Sequence, residues 1–386
     1  MANPIKPKKY VNLQDTFKNK LVRIISKSTD ENPAGALEPL NENSSELITE
    51  YGADSDFSLW IVYPLGDGIY MFIHYNTGKA LTHHDSLQPN SSDYNASTLE
   101  NYIGDTTQQY TLETSDNINF YSIRNVNDGG LVTLYADDTT EWSFEAVNDI
   151  NISDQLPSVQ TLDPFPVYAD LENNLPDETP DRLISYTLLP APTVQDGQLT
   201  VKQKIQTSPY YLMEKHQYWT QLQQLSLAPG QTTTKQYEYG MDTTQADEMT
   251  KTTGMTIHED AGLNFSLGGI FGGNAAIRKE ITDNLVIHQS INTKISEKIS
   301  KTSTFDNSNN QYTMYYAKYI LTTKFVLKRF SANEDVNITV GTWISTDPNT
   351  IRTTSWIPDV PQTDCTECTD GVDCSECPDC PQCQEE

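Results

Sequence analysis

Cysteine is missing from the first 364 residues of this 386-residue chain, so the body folds without disulfides and without thiolate metal sites. A chain this long exceeds the usual growth of one core, and two domains are expected, each able to bury its own apolar interior. Positive charge is scarce. Against 53 Asp and Glu stand 25 Lys and Arg, a formal net charge of −28 that repels nucleic acid and anionic lipid. Nucleic acid is therefore not expected as a partner. No apolar run approaches the roughly 20 residues of a spanning helix. The early lysines (Lys6, Lys8, Lys9, Lys18, Lys20) are followed by no apolar stretch, so the start does not read as a secretory signal. Any membrane activity has to use strands. GxSxG, HExxH, Walker A and GxGxxG motifs are absent, and carboxylates are too numerous for one pair to stand out as a glycosidase dyad. The expectation is a protein without catalysis, cofactor or resident metal. His83-His84, His258 and His288 read as ordinary polar residues rather than ligands or pH sensors.

Residues 21–150 alternate short apolar runs with Asn, Asp, Gly and Ser clusters, the pattern of short strands joined by tight turns. A weak repeat lies inside them. "SLWIVYPLGDGIYMFIHYNTGKAL" aligns with "QQYTLETSDNINFYSIRNVNDGGLV", matching Trp60 to Tyr110, Ile73 to Ile123 and, after one inserted residue, Gly78 to Gly129. A third copy begins at "TEWSFEAV". Trp60, Tyr110 and Trp142 each open an alternating strand, which suggests threefold repetition.

Residues 154–182 carry Pro157, Pro164, Pro166, Pro176 and Pro180 and read as a linker. The division expected is 1–153, a linker 154–182, a second domain 183–358 and a tail 359–386. In the second domain, "SPYYLMEKHQYWTQLQQLSLAPG" fits a helix or a crossing strand. The Ser/Thr-rich region Thr232 to Thr304 favours extended chain, and "YTMYYAKYILTTKFVLKRF" reads as core strand.

In "GMTIHEDAGLNFSLGGIFGGNAAIRKEITDNLVIHQ" the odd positions Ile257, Leu263, Phe265 and Leu267 are apolar and the even ones polar. After a glycine-rich turn holding Ile270 and Phe271, the odd face continues through Ile277, Ile281 and Leu285. A hairpin that sets Leu267 opposite Ala275 puts Phe265 against Ile277 and Ile257 against Leu285, with one face nearly all apolar. The span from Ile257 to Leu267 has the 9 to 11 residues of a membrane-crossing strand. Unpaired backbone is not tolerated in lipid, so several copies would have to close a barrel. Lys279 falls inside the apolar band and counts against this. The same alternation fits a soluble amphipathic hairpin lying over its own domain. The spacing by four of Ile277, Ile281 and Leu285 fits a helix, against which Ser/Thr density and the glycine turn argue.

All six cysteines lie in the acidic tail, as Cys365, Cys368, Cys374, Cys377, Cys380 and Cys383. Paired CxxC units suit structural zinc, and the run "CSECPDCPQC" has the spacing of iron–sulfur ligands. With Asp, Glu and Pro between the cysteines, the remaining reading is a flexible tail that cross-links chains.

In the second domain, "YTLLPAPTV", "IQTSPYYLMEKHQYWTQL", "LAPGQTTTKQYEYGMDTTQ" and "YAKYILTTKFVLKRF" resemble, in order and spacing, blocks of the Bin-type (Tpp) insecticidal crystal toxins, the family of the mosquitocidal binary toxin. The resemblance covers about residues 183–358, while 1–150 match in layout only. It implies a mainly β protein with an N-terminal β-trefoil, lectin-like head and an elongated C-terminal, aerolysin-like β-sheet pore-forming domain. It also implies storage as parasporal inclusions of a sporulating bacterium, proteolytic trimming, and binding to a glycan or glycoprotein receptor on midgut cells. Self-association into an oligomeric pore in the target-cell membrane would follow. The alternative is a receptor-binding component that needs a second toxin component and has no pore activity of its own. The family's glycan sites near QxW-like motifs would fall at Trp60, at Gln108 with Tyr110, and at Trp142; only the middle motif keeps Gln. The family's membrane hairpin falls on the Ile257-to-Ile281 segment. Trimming is expected near Lys20 or Arg23 and after Arg352, where basic residues adjoin expected element ends. A cysteine tail departs from the family pattern; its expected use is intermolecular disulfides within stored crystals.

Overall fold

The computed structural model describes residues 19–28, 34–50, 56–84, 97–115, 119–132, 141–150, 156–168, 175–257, 263–265, 275–285, 299–330 and 337–357. The head contains ten strands: β1 (Lys20–Ser26), β2 (Ala36–Pro39), β3 (Leu47–Glu50), β4 (Trp60–Gly66), β5 (Ile69–His74), β6 (Ala80–His83), β7 (Ser97–Glu100), β8 (Tyr110–Thr114), β9 (Tyr121–Asn125) and β10 (Trp142–Asp149). Six of them close a ring, β1 pairing with β4, β4 with β5, β5 with β8, β8 with β9, β9 with β10, and β10 back with β1. Closure leaves no edge on the barrel. The β2–β3 and β6–β7 hairpins stand on it as caps. A six-stranded barrel with hairpin caps is a β-trefoil, and its three lobes carry the aromatic repeat of the sequence.

Trp60, Tyr110 and Trp142 open β4, β8 and β10 and are fully buried, in a core shared with Val22, Phe72 and Ile123. The indole N–H of Trp60 donates to the Leu37 carbonyl (2.8 Å) and that of Trp142 to the Val132 carbonyl (3.0 Å), so each tryptophan ties its barrel strand to a preceding piece of chain. Gly78 and Gly129 take φ of +71° and +75° in turns of one design, their N–H groups donating to the carbonyls of His74 and Asn125. The structure moves the inserted residue of the repeat. Phe72, not Ile73, shares the barrel core with Ile123, so the insertion precedes the strand rather than following it.

The body is built on a four-stranded antiparallel sheet, β11 (Arg182–Pro190), β12 (Tyr210–Leu227), β17 (Met314–Arg329) and β18 (Ile338–Trp356), in the order β11-β12-β17-β18. The 18-residue β12 spans roughly 60 Å at the usual rise, which makes the body elongated. The segment that fitted helix or strand is thus a strand, and its paired partner is the aromatic run read as core strand. A ribbon of β13 (Gln231–Tyr239) and β16 (Ile299–Asn307) extends the body beyond the turn at Gly230, whose φ is +74°. Short strands β14 (Met255–Ile257) and β15 (Leu263–Phe265) pair with each other. Among the described residues three helices complete it: α1 (Val201–Thr207), α2 (Thr243–Thr253) and α3 (Ala275–Asn284).

Two expectations need correction here. The Thr232 to Thr304 region is not extended throughout, because α2 and α3 interrupt it. The signals for α2 are local: Asp242 accepts from the Thr244 N–H as N-cap, and Gly254 closes the helix at φ +70°. The proline-rich stretch after the head is not a bare linker where it is described. Phe165 inserts edge-on against Trp219 and Tyr319 (5.3 and 5.8 Å), the Trp219 indole N–H donates to the Asp163 carbonyl, and Tyr319 donates to the Pro176 carbonyl at 2.7 Å. Prolines without N–H donors leave this strap free to lie along the sheet through side chains.

Head and body share one apolar core. Ile61, Tyr63, Met71 and Ile73 of the head are buried with Leu189, Tyr210, Met213, Phe325 and Trp343 of the body.

Candidate functional site

The described parts of the amphipathic segment, residues 255–257, 263–265 and 275–285, lie outside the four-stranded sheet. Met255 at the start of β14 is fully buried beside Ala246 and Met249 of α2, and the Thr250 and Thr256 hydroxyls bond each other at 2.8 Å. Ile281 and Leu285, one turn apart at the end of α3, are buried against both β11 and β4. The Ser185 hydroxyl donates to the Leu285 carbonyl (2.9 Å), and the Asn284 amide to Thr187 (3.2 Å). Lys279, Glu280 and Asp283 face solvent.

This arrangement corrects the hairpin register. Phe265 pairs with Met255 and Ile257 with Leu263, so the ribbon closes within 255–265. Ile277 and Ile281, placed opposite these strands by the alternation, lie on helix α3. An odd-numbered apolar pattern contains every fourth residue, so it satisfies the helical period as well. The helix also removes the misfit of Lys279, which points away from the buried row. Leu267, Ile270 and Phe271 lie outside the described residues.

The four head residues matched to QxW-like motifs are all interior. Trp60, Tyr110 and Trp142 are 0% exposed and Gln108 is 1% exposed. The Gln108 carbonyl oxygen accepts from the N–H groups of Ile103 and Gly104, and its amide donates to Thr82 and to the Asn101 carbonyl. Gln108 therefore fixes the 101–104 loop to β6. As placed, these side chains hold the lobes together and do not face solvent.

Of the basic residues expected at processing sites, Lys20 opens β1, as expected of an element end. Arg23 does not: it pairs with Glu145 in mid-strand, and its Nε donates to Ser58 at 3.2 Å. Arg352 pairs with Tyr319 inside β18, its guanidinium 5.5 Å from the Trp219 ring and 5.9 Å from Phe165. Proteases need unpaired backbone, so the premise of an element end fails for Arg23 and Arg352. The six tail cysteines, from Cys365 to Cys383, lie outside the described residues.

A second polar focus, which the sequence did not single out, sits under the body sheet. Asp196 is buried and accepts from Arg329 (2.6 Å) and from the Tyr211 hydroxyl (2.9 Å). Across β12 and β17, Glu214 accepts from His216 and Lys328 (both 2.8 Å); burial pushes its carboxyl up, but these donors outweigh it and hold it below the usual range. Asp196 is matched to Arg329 and Glu214 to Lys328, which is the signature of a sheet tied together rather than of a reactive group.

No protein-family profile matches the chain. The insecticidal crystal protein Cry35Ab1 of Bacillus thuringiensis is 25% identical over 307 residues, covering 76% of this chain and 79% of that protein. The chain is a homologue of the Bin-type insecticidal proteins. The binary larvicide subunit BinB of Lysinibacillus sphaericus is 27% identical over 196 residues, half of this chain and 41% of BinB. The crystal structure of Cry35Ab1 superposes with a TM-score of 0.71 at 23% identity, covering 87% of this chain and 90% of that one. Cry35Ab1 and this chain thus share a fold, in this chain a trefoil head joined to an elongated β body.

Proposed function

We propose that this chain is an insecticidal crystal protoxin that binds a midgut glycan or glycoprotein through its head, is trimmed by proteases, oligomerises and opens a β-barrel pore. It acts by permeabilising the membrane, without catalysis. The observation that carries the reading is the ribbon and helix of residues 255–285, amphipathic in sequence and packed outside the main sheet by a few buried anchors, Met255, Ile281 and Leu285. Such a segment can leave without dismantling the four-stranded sheet. Homology to Cry35Ab1, named as an insecticidal crystal protein, supports the toxin class. Receptor contact falls to the surface of the trefoil, for which Trp60, Gln108, Tyr110 and Trp142 are the scaffold.

Dye release from liposomes, with and without gut-protease treatment, tests this. Trimmed protein is expected to release dye alone, and Phe265→Asp to abolish release, because a charge on the lipid face of a strand is costly. Absence of release by the trimmed chain would favour the second reading, a receptor-binding component of a two-component toxin, which the naming of BinB as a binary subunit supports. For the tail, reductant at alkaline pH is expected to dissolve crystals faster than alkali alone. Equal rates would remove the proposed disulfides.

A further inference from the structure

Trp343 and Ser345 stand on one face of β18, opposite Phe325 and Thr323 of β17, and are 0% and 1% exposed. Neither the Trp343 indole N–H nor the Ser345 hydroxyl has a hydrogen-bond partner among the described residues. The indole is seated over Gly341, where a Cβ would stand 2.5 Å from the ring. Helix α2 packs on this strand, and Ala246 and Met249 of α2 share the apolar cluster of Trp343 with Met255 of β14. We propose that residues 241–257 form a lid on β18 that is poised to lift, hinged at Gly240, and that closing this lid is what leaves the two polar groups buried and unpaired.

Three observations support a lid rather than a fixed part of the core. First, both unpaired groups gain water as a partner once the lid is up, so the closed form carries a desolvation cost that the open form does not. Second, α2 is made of weak helix formers. Five of its eleven residues are Thr, and the hydroxyls of Thr250 and Thr253 donate back to the carbonyls of Ala246 and Met249 at 2.8 and 2.7 Å, bonds that compete with the helix ladder. Such a helix depends on its seat. Third, its polar ties to β18 are few and fall near its start. The Ile344 N–H donates to the Gln245 side-chain oxygen at 3.0 Å, while Gly240 and Thr346 exchange two bonds, from the Gly240 N–H to the Thr346 hydroxyl (2.7 Å) and from the Thr346 N–H to the Gly240 carbonyl (3.3 Å). Gly240 has φ of +102°, a backbone that glycine alone adopts readily. The exchanged bonds pin the hinge, and Gln245 is the latch.

Lifting frees the Ile344 N–H on β18, the outer strand of the body sheet, and loosens the entry to the amphipathic segment that begins with β14. Only this link to the segment rests on the pore reading; the lid itself does not. Hydrogen exchange read by mass spectrometry on the full chain, in urea below the main transition, tests it. Peptides from 243–257 are expected to open before those of β12 and β17. Ser345→Ala removes one unpaired buried group and should slow exchange of the lid about fivefold or more. Gln245→Ala removes the latch and should speed it about two- to tenfold. A single cooperative urea transition shows that each variant folds. Lid peptides that open only together with β12 and β17, or that exchange no more slowly in Ser345→Ala than in the wild type, overturn the proposal. Dye release separates the two readings. A chain whose lid lifts but which permeabilises nothing keeps the lid and loses the pore, and one that permeabilises without lid opening does the reverse.

Discussion

The Tyr63 hydroxyl, on strand β4 of the head, donates to the carbonyl of Pro209, at the foot of strand β12 of the body, at 2.7 Å. Its ring meets Tyr210 edge-on at 5.2 Å, inside the core that both parts share. Tyr63→Phe removes one of two donors to the Pro209 carbonyl, which keeps the Ala191 N–H at 2.9 Å, and is expected to cost about 0.5 to 1.5 kcal/mol. Because the core is common, head and body should unfold in one urea transition, coincident by tryptophan fluorescence and far-ultraviolet dichroism. Tyr63→Ala should split it in two. Two transitions already present in the wild type would show that the shared core does not couple them.

Gly78 marks the second point of contact. A Cβ there would sit 2.5 Å from the backbone nitrogen of Lys202, in the first turn of α1, on a residue whose φ is +71°. Gly68 has a similar φ of +75° but open space around it. Gly68→Ala is therefore expected to cost only the left-handed backbone penalty of about 1 to 2 kcal/mol. Gly78→Ala should cost at least twice as much, since backbone cannot move aside as a side chain can. Thermal midpoints of the two variants, measured side by side, give the comparison; equal losses would mean that the head does not rest on α1.

The trefoil was legible because the aromatic repeat and the β fold share a cause: Trp60, Tyr110 and Trp142 recur where each lobe needs a large core residue. The same property misled the functional reading, since an aromatic beside a polar QxW-like position looks alike whether it faces a sugar or a core. Helix α3 was illegible from period alone, as Ile277, Ile281 and Leu285 satisfy two periods at once. Only the partners of Ile281 and Leu285 on β11 and β4 settle it, and those partners lie far away in sequence. Phe165 was hidden for a similar reason, because five prolines advertise a linker and nothing local announces Trp219 as its seat.

The pH response should differ between the two parts. Burial lowers Lys204 and Lys215 of the body to about 8, against an ordinary value near 10.4. From about pH 8 to 10 the unfolded chain then binds more protons than the folded one, so these residues make stability rise with pH. In the head, burial lowers His74 to about 4, so its contribution is complete above about 6.5 and is lost as pH falls toward 4. Urea midpoints at about pH 7.5 and 9.5 are expected to increase, and Lys215→Met to flatten that increase. A midpoint that falls over this interval in the wild type would contradict the assignment.

Ile281 offers the most direct handle on the segment's release. It is 1% exposed, at the contact of α3 with β11 and β4, and truncating a buried isoleucine to alanine costs about 2 to 5 kcal/mol. Local undocking of α3 needs less than global unfolding, so Ile281→Ala should raise the population of the undocked helix more than it lowers the main urea midpoint. Limited proteolysis followed by mass spectrometry should then show faster cutting within 275–285. If leaving this seat precedes membrane entry, dye release by the trimmed variant should also be faster. Unchanged cutting would mean that α3 is held by other contacts, such as the Ser185 and Thr187 hydrogen bonds to Leu285 and Asn284. Faster cutting with slower release would mean that the docked helix takes part in the pore-forming step rather than delaying it.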